Sequence, residues 1–128
     1  MRRIPSLLAV TGALNDETRL RAMLALGQGE LCLCQIIELL GSAPSTISKH
    51  MKVLTDAGLV YKRKQGRWQY FRLVGPEAPA EVRLALDWVI KTLDGDDAVK
   101  ADSKRLRSIL KQNPQELVAC YRSRSEAS

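Results

Sequence analysis

Histidine is almost missing from this chain of 128 residues; the single one is His50. A glycine-rich phosphate-binding loop is missing too. An enzyme working through its thiols would need a nearby base, carboxylate or cofactor cradle, and no His, Asp or such loop stands beside Cys32 and Cys34. Long apolar runs are lacking as well, with none near the ~18–20 residues that span a bilayer. The opening MRRIPSLLAVTGAL places two arginines before a short apolar run. Pro5 and Gly12 interrupt that run, no convincing small-residue cleavage site follows, and the pattern continues as an amphipathic helix. It reads as a core-facing first helix. Cysteine is scarce and odd in number, at three, and two of the three are too close for an ordinary structural disulfide. That fits free thiols in a reducing cytoplasm. Internal repeats and low-complexity segments are absent, and the length suits one domain with a modest core.

Acidic residues are nearly absent from one stretch. Between Pro44 and Leu73 stand seven Lys/Arg (Lys49, Lys52, Lys62, Arg63, Lys64, Arg67, Arg72) against one acid, Asp56. The resulting +6 equals the net charge of the whole chain, so the remainder balances at thirteen against thirteen. A basic footprint on an otherwise neutral chain points to a polyanion.

The periodicity predicts a mainly α chain with one small β-hairpin. Leu7, Leu8, Val10 and Leu14 are spaced for a helix, and Asn15 or Asp16 can cap the next, DETRLRAMLALGQG. ELCLCQIIELLG reads as a short helix stopped at Gly41. After a turn at Ser42–Ser45, STISKHMKVLTDAG carries Ile47, Met51 and Leu54 at i, i+4, i+7. Two short helices joined by a tight turn, the second polar and basic outside, form a helix-turn-helix. LVYKRKQGRWQYFRLV alternates about a glycine turn and reads as a hairpin with a basic tip. The pair makes a winged helix, its second helix suited to the major groove and its hairpin to phosphates or a minor groove. Ala80–Leu93 is strongly amphipathic, with Val82, Ala85, Leu86, Val89, Ile90 and Leu93 on one face. Ala98–Gln112 forms a charged helix, and a short last helix, QELVACYR, carries Cys120. Residues 1–95 thus form a DNA-binding and dimerisation domain, and 96–128 a helical extension. The terminal apolar faces exceed what a small domain needs, which favours a homodimer matched to a palindromic site.

Three stretches resemble the ArsR/SmtB family of bacterial metalloregulatory repressors. NDETRLRAMLALGQGELCLCQI, PSTISKHMKVLTDAGLV and KRKQGRWQYFRL resemble its thiol-bearing segment, recognition helix and wing, in order from about Ala13 to Leu73. The resemblance implies a homodimeric winged-helix repressor that binds double-stranded operator DNA and leaves it when metal binds. The E-L-C-x-C form resembles the branch sensing trivalent arsenic or antimony, which implies Cys32 and Cys34 as ligands. One departure is Ile37, where such sensors often carry a third cysteine. Cys120 is the only other thiol: either it reaches the pair, from its own or the partner subunit, or the site is two-coordinate. A sensor site of Asp and His on the last dimerisation helix has no material here.

For DNA, the candidates on the recognition helix are Ser45, Thr46, Ser48, Lys49 and His50, with Lys52 toward a phosphate. Lys62, Lys64, Gln65 and Arg67 belong to the wing, whose Trp68, Tyr70 and Phe71 serve as packing. Soft thiolates select thiophilic ions. Residues i and i+2 of a helix point about 200° apart. On a regular helix, Cys32 and Cys34 would therefore hold one ion only if its first turn were re-aimed. Two rival readings use the same residues: a redox switch acting through the thiols, and a constitutive DNA-binding protein with incidental cysteines.

Overall fold

The computed structural model describes residues 2–114 and Leu117. The chain runs α1 (Ile4–Leu14), α2 (Glu17–Leu26), β1 (Leu31–Cys32), α3 (Leu33–Leu40), α4 (Pro44–Asp56), β2 (Val60–Gln65), β3 (Trp68–Leu73), α5 (Ala80–Thr92) and α6 (Asp97–Leu110). Local chemistry sets these bounds. Asp16 caps α2 by accepting from Arg19 N at 3.0 Å, satisfying one of the N–H groups a helix start leaves open. Gly41 ends α3 in the left-handed region, at φ 76°, where a side chain would be strained. Pro44 opens α4, where its missing N–H costs nothing.

Helices α3 and α4 are the helix-turn-helix, and β2–β3 the wing. Within α4, Ile47, Met51 and Leu54 are fully buried, as their spacing predicts. Strands β2 and β3 pair from Val60↔Leu73 to Gln65↔Trp68, leaving Gly66-Arg67 as a two-residue turn. Gly66 takes φ 61° at the first turn position, the geometry tight hairpins require.

Three expectations change. The helix expected from Glu30 begins at Leu33 instead, because Leu31 and Cys32 are extended and pair antiparallel with Phe71 and Tyr70. The sheet therefore has three strands, in the order β1-β3-β2. Pairing with the wing satisfies backbone groups that a longer helix would have satisfied internally. Helix α1 faces the core through Val10 and Ala13, with Leu14 partly buried against it, while Ile4, Leu7 and Leu8 are exposed, Leu8 at 63%. On α5, Val82, Leu86 and Val89 are buried, but Ile90, expected on the same face, is exposed along with Leu84 and Trp88. The expected final helix with Cys120 lies outside the described residues apart from Leu117, which is buried.

Helix α6 closes the core from outside. Leu106 and Ile109 are buried, Arg21 forms a bidentate pair with Asp102 at 2.7 and 2.8 Å, and Arg105 donates to the Glu38 carbonyl at 2.9 Å. Among the described residues no helix is long and apolar enough to cross a membrane.

Candidate nucleic-acid interface and thiol site

Burial of Ile47, Met51 and Leu54 turns the opposite side of α4 outward. Ser45, Thr46, Ser48, Lys49 and Lys52 are exposed there. Lys52 pairs with Asp56 one turn on, at 2.8 Å. His50 is half-buried rather than fully outward. Its Nδ1 lies 3.1 Å from Arg19 Nη1, and its Nε2 lies 3.9 Å from Asp16 Oδ1. Arg19 also donates to the carbonyls of Gly12 and Ala13, at 3.2 and 2.7 Å. His50 therefore bridges the recognition helix to the corner between α1 and α2. Val53 is an exposed apolar side chain on α4 that the sequence reading passed over; only the burial of its neighbours reveals it.

On the wing, Lys62, Lys64, Gln65 and Arg67 are exposed. Phe71 is buried, and Trp68 and Tyr70 pack partly buried against the core. Two wing cations are differently engaged. Arg72 lies 4.5 Å over the Tyr61 ring. Arg63 lies 4.3 Å over the Tyr70 ring and grips Glu30 with two hydrogen bonds, 2.9 Å from Nε and 2.6 Å from Nη2. A third bond runs from Arg63 Nη1 to Gln65 Oε1 at 3.0 Å. The Arg63 guanidinium holds the Glu30 carboxyl below the usual carboxylate range. Charge counting had grouped Arg63 with the other wing cations; Glu30 is too distant in sequence for the pairing to show.

The thiols sit where β1 turns into α3. Cys32 is the N-cap residue, at φ −80° and ψ 157°, and Cys34 lies in the first helical turn. The expectation that they lie on different sides of a regular helix fails, because Cys32 is outside the helix. Both are buried, at 1% and 7% exposure, and the Cys34 thiol donates to the Cys32 sulfur. Gln35 completes a reciprocal cap: its side-chain oxygen accepts from Cys32 N at 2.9 Å, and its backbone N–H points at the Cys32 sulfur. The hydrogen bond from Cys34, opposed by burial and reinforced by the N–H groups of Gln35 and Cys34, pulls the Cys32 thiol down to about 7. A nucleophilic, soft donor beside a second thiol suits a thiophilic ion. Among the described residues no group of three or more His, Cys, Asp or Glu could hold a metal ion, so these residues supply two sulfurs and no third donor. Cys120 lies outside them.

A polar recognition helix, a cationic hairpin directly after it and a thiol pair under the hairpin define a winged-helix DNA-binding regulator. The family model described as bacterial regulatory protein, arsR family, matches residues 16–62. An arsenical resistance operon repressor of Escherichia coli is 35% identical over 99 residues, covering 77% of this chain and 76% of that protein. The arsenic resistance transcriptional regulator ArsR1 of Pseudomonas putida is 35% identical over 121 residues, covering 94% and 91%. Among solved structures, a homodimeric winged helix-turn-helix DNA-binding domain from Mycobacterium bovis matches with a TM-score of 0.60 at 28% identity, covering 73% of this chain and 83% of that one. The chain belongs to the arsR family of bacterial regulatory proteins, DNA-binding transcriptional regulators rather than enzymes.

Proposed function

We propose that this chain is a repressor that binds operator DNA as a homodimer and leaves it when trivalent arsenic or antimony binds Cys32 and Cys34. The observation that carries the reading is the placement of two buried thiols together at the β1–α3 junction, Cys32 as the N-cap and Cys34 in the first helical turn. A preformed dithiol is half of a site for an ion that binds thiolates, and the names of the relatives in Escherichia coli and Pseudomonas putida support an arsenical. Cys120 completes the sulfur set as third donor in this proposal. Ser45, Thr46, Ser48 and Lys49 read bases and nearby phosphates, with His50 contacting DNA from the edge of that surface and setting the helix's seat. Lys52, Lys62, Lys64, Gln65 and Arg67 meet the backbone. The dimer forms through α1 and α5, whose exposed Leu8 and Trp88 line a common cleft. Trp88 also borders a cavity of about 150 Å³ with Leu14, Leu20, Val89, Thr92 and Leu93. The homodimeric relative of known structure supports assembly as a dimer.

The test uses a DNA duplex selected by the protein from random sequence, followed by fluorescence anisotropy under reducing conditions. Arsenite should release the wild type without any oxidant, while Cys32→Ser and Cys34→Ser bind the duplex and stay bound. Cys120→Ser separates a three-sulfur from a two-sulfur site. The same thiol contact favours a second reading, in which peroxide takes two electrons from the thiols, two protons leave and a disulfide forms. Release by peroxide alone, with arsenite inert, would replace the first reading by the second.

A further inference from the structure

The thiol site and the wing share a sheet. Leu31 pairs with Phe71 and Cys32 with Tyr70, so the strand that presents the first thiol is hydrogen-bonded to the inner strand of the hairpin. Immediately before that strand, Glu30 holds Arg63 of the outer hairpin strand by two hydrogen bonds. Arg63 in turn stacks on Tyr70, the residue opposite Cys32. Glu30 thus fastens the outer strand of the wing to the segment carrying Cys32, whose own pairing holds the inner strand.

We infer that Glu30 and Arg63 are positioning residues that couple occupancy of the thiol pair to the posture of the wing. The inference rests on the reading that Cys32 and Cys34 bind a thiophilic ion. An ion bound by both sulfurs replaces the hydrogen bond between them, and the resulting re-seating of Cys32 is carried directly to its pairing with Tyr70 and to the neighbouring Glu30–Arg63 clasp. With the clasp open, the hairpin loses the brace that sets its basic tip against the phosphates. Release of Arg63 adds a loose cation near DNA, which opposes the effect through nonspecific attraction. The brace prevails in this proposal because specific binding needs the recognition helix and wing seated together, and a loose cation supplies no register.

Glu30→Gln, Arg63→Gln, the double variant, and the swapped pair Glu30→Arg with Arg63→Glu are compared with the wild-type chain on the selected duplex, with and without arsenite. Each single variant should bind about three- to five-fold more weakly before arsenite is added, the span an exposed ion pair can supply. Arsenite should then weaken binding by a correspondingly smaller factor, while the number of arsenite ions bound per chain stays as in the wild type. The double Gln variant should be no worse than either single one, and the swapped pair should recover part of the wild-type response, as coupled partners do. Equal arsenite release in wild type and single variants would overturn the inference and leave the proposed function standing. A wild type that arsenite does not release would remove both. Should Glu30→Gln fail to fold, the swapped pair decides: recovery of release supports the clasp, and a folded swapped pair without recovery overturns it.

Discussion

At the scale of the residue, Cys32 shows how position changes chemistry. Its thiol, near 7 when folded, lies below the ordinary thiol value of about 8.5. The folded chain therefore holds the thiolate more readily than the unfolded chain does. The resulting stabilisation, on the order of 1–2 kcal/mol, is fully present above the ordinary thiol value and fades as pH falls through about 7. In a Cys120→Ser background, thiolate absorbance should rise with a midpoint near pH 7, and Cys34→Ala should move that midpoint up toward the ordinary range. A midpoint unchanged by Cys34→Ala would remove the thiol contact as its cause. On the wing, Arg67→Ala or Lys64→Ala should each weaken duplex binding and flatten its dependence on log salt by roughly 0.9, as one lost phosphate contact does. Titrations across a salt series measure this slope, and an unchanged slope would take that residue off the backbone. The basic stretch was legible from charge alone. The special standing of Arg63 was not, since charge counting sees only sign, and its partner Glu30 enters through a sheet pairing that no local pattern announces.

At the scale of the element, α4 and the hairpin could be read from the sequence because each has a period. Ile47, Met51 and Leu54 mark a buried helical stripe, and the alternation about Gly66 marks two strands. Strand β1 could not be read. Two residues carry no period, Leu31 and Cys32 are equally buried, and the run of apolar residues into Ile36 and Ile37 imitates a continuous helix. Tertiary pairing with β3 overrides that local appearance. The cap at Cys32 then becomes the hinge between strand and helix, and Gln35 fixes it. Gln35→Ala leaves the Cys32 N–H without its buried acceptor and should cost about 1–3 kcal/mol, read from urea unfolding midpoints. It should also loosen β1, visible as faster amide exchange at Cys32.

At the scale of the whole molecule, the single chain leaves much apolar surface in water. Leu84 is 68% and Trp88 65% exposed on α5, and Ile4, Leu7 and Leu8 extend the surface along α1. The sequence had shown these faces to be larger than one small domain needs, but the inward or outward sense of each residue depends on how α1 and α5 cross. That is why Leu7 and Ile90 were expected inside. Trp88→Glu places a charge on this surface at a residue that is itself mostly exposed. It should turn the proposed homodimer into a monomer in sedimentation velocity, keep the helical circular dichroism, and bind the selected duplex at least about ten-fold more weakly, since two half-sites are no longer read together. A dimeric Trp88→Glu would move the interface elsewhere.

The order β1-β3-β2 has one more consequence. A small sheet has two open sides, and each can recruit a strand from another chain. Here one side is closed by a strand only two residues long, too short to template much pairing. The other side is β2, VYKRKQ, whose consecutive Lys62, Arg63 and Lys64 make stacking against a like copy electrostatically costly. The cations suited to nucleic acid thus also guard the open rim of the sheet against aggregation, and that second duty persists when no DNA is bound.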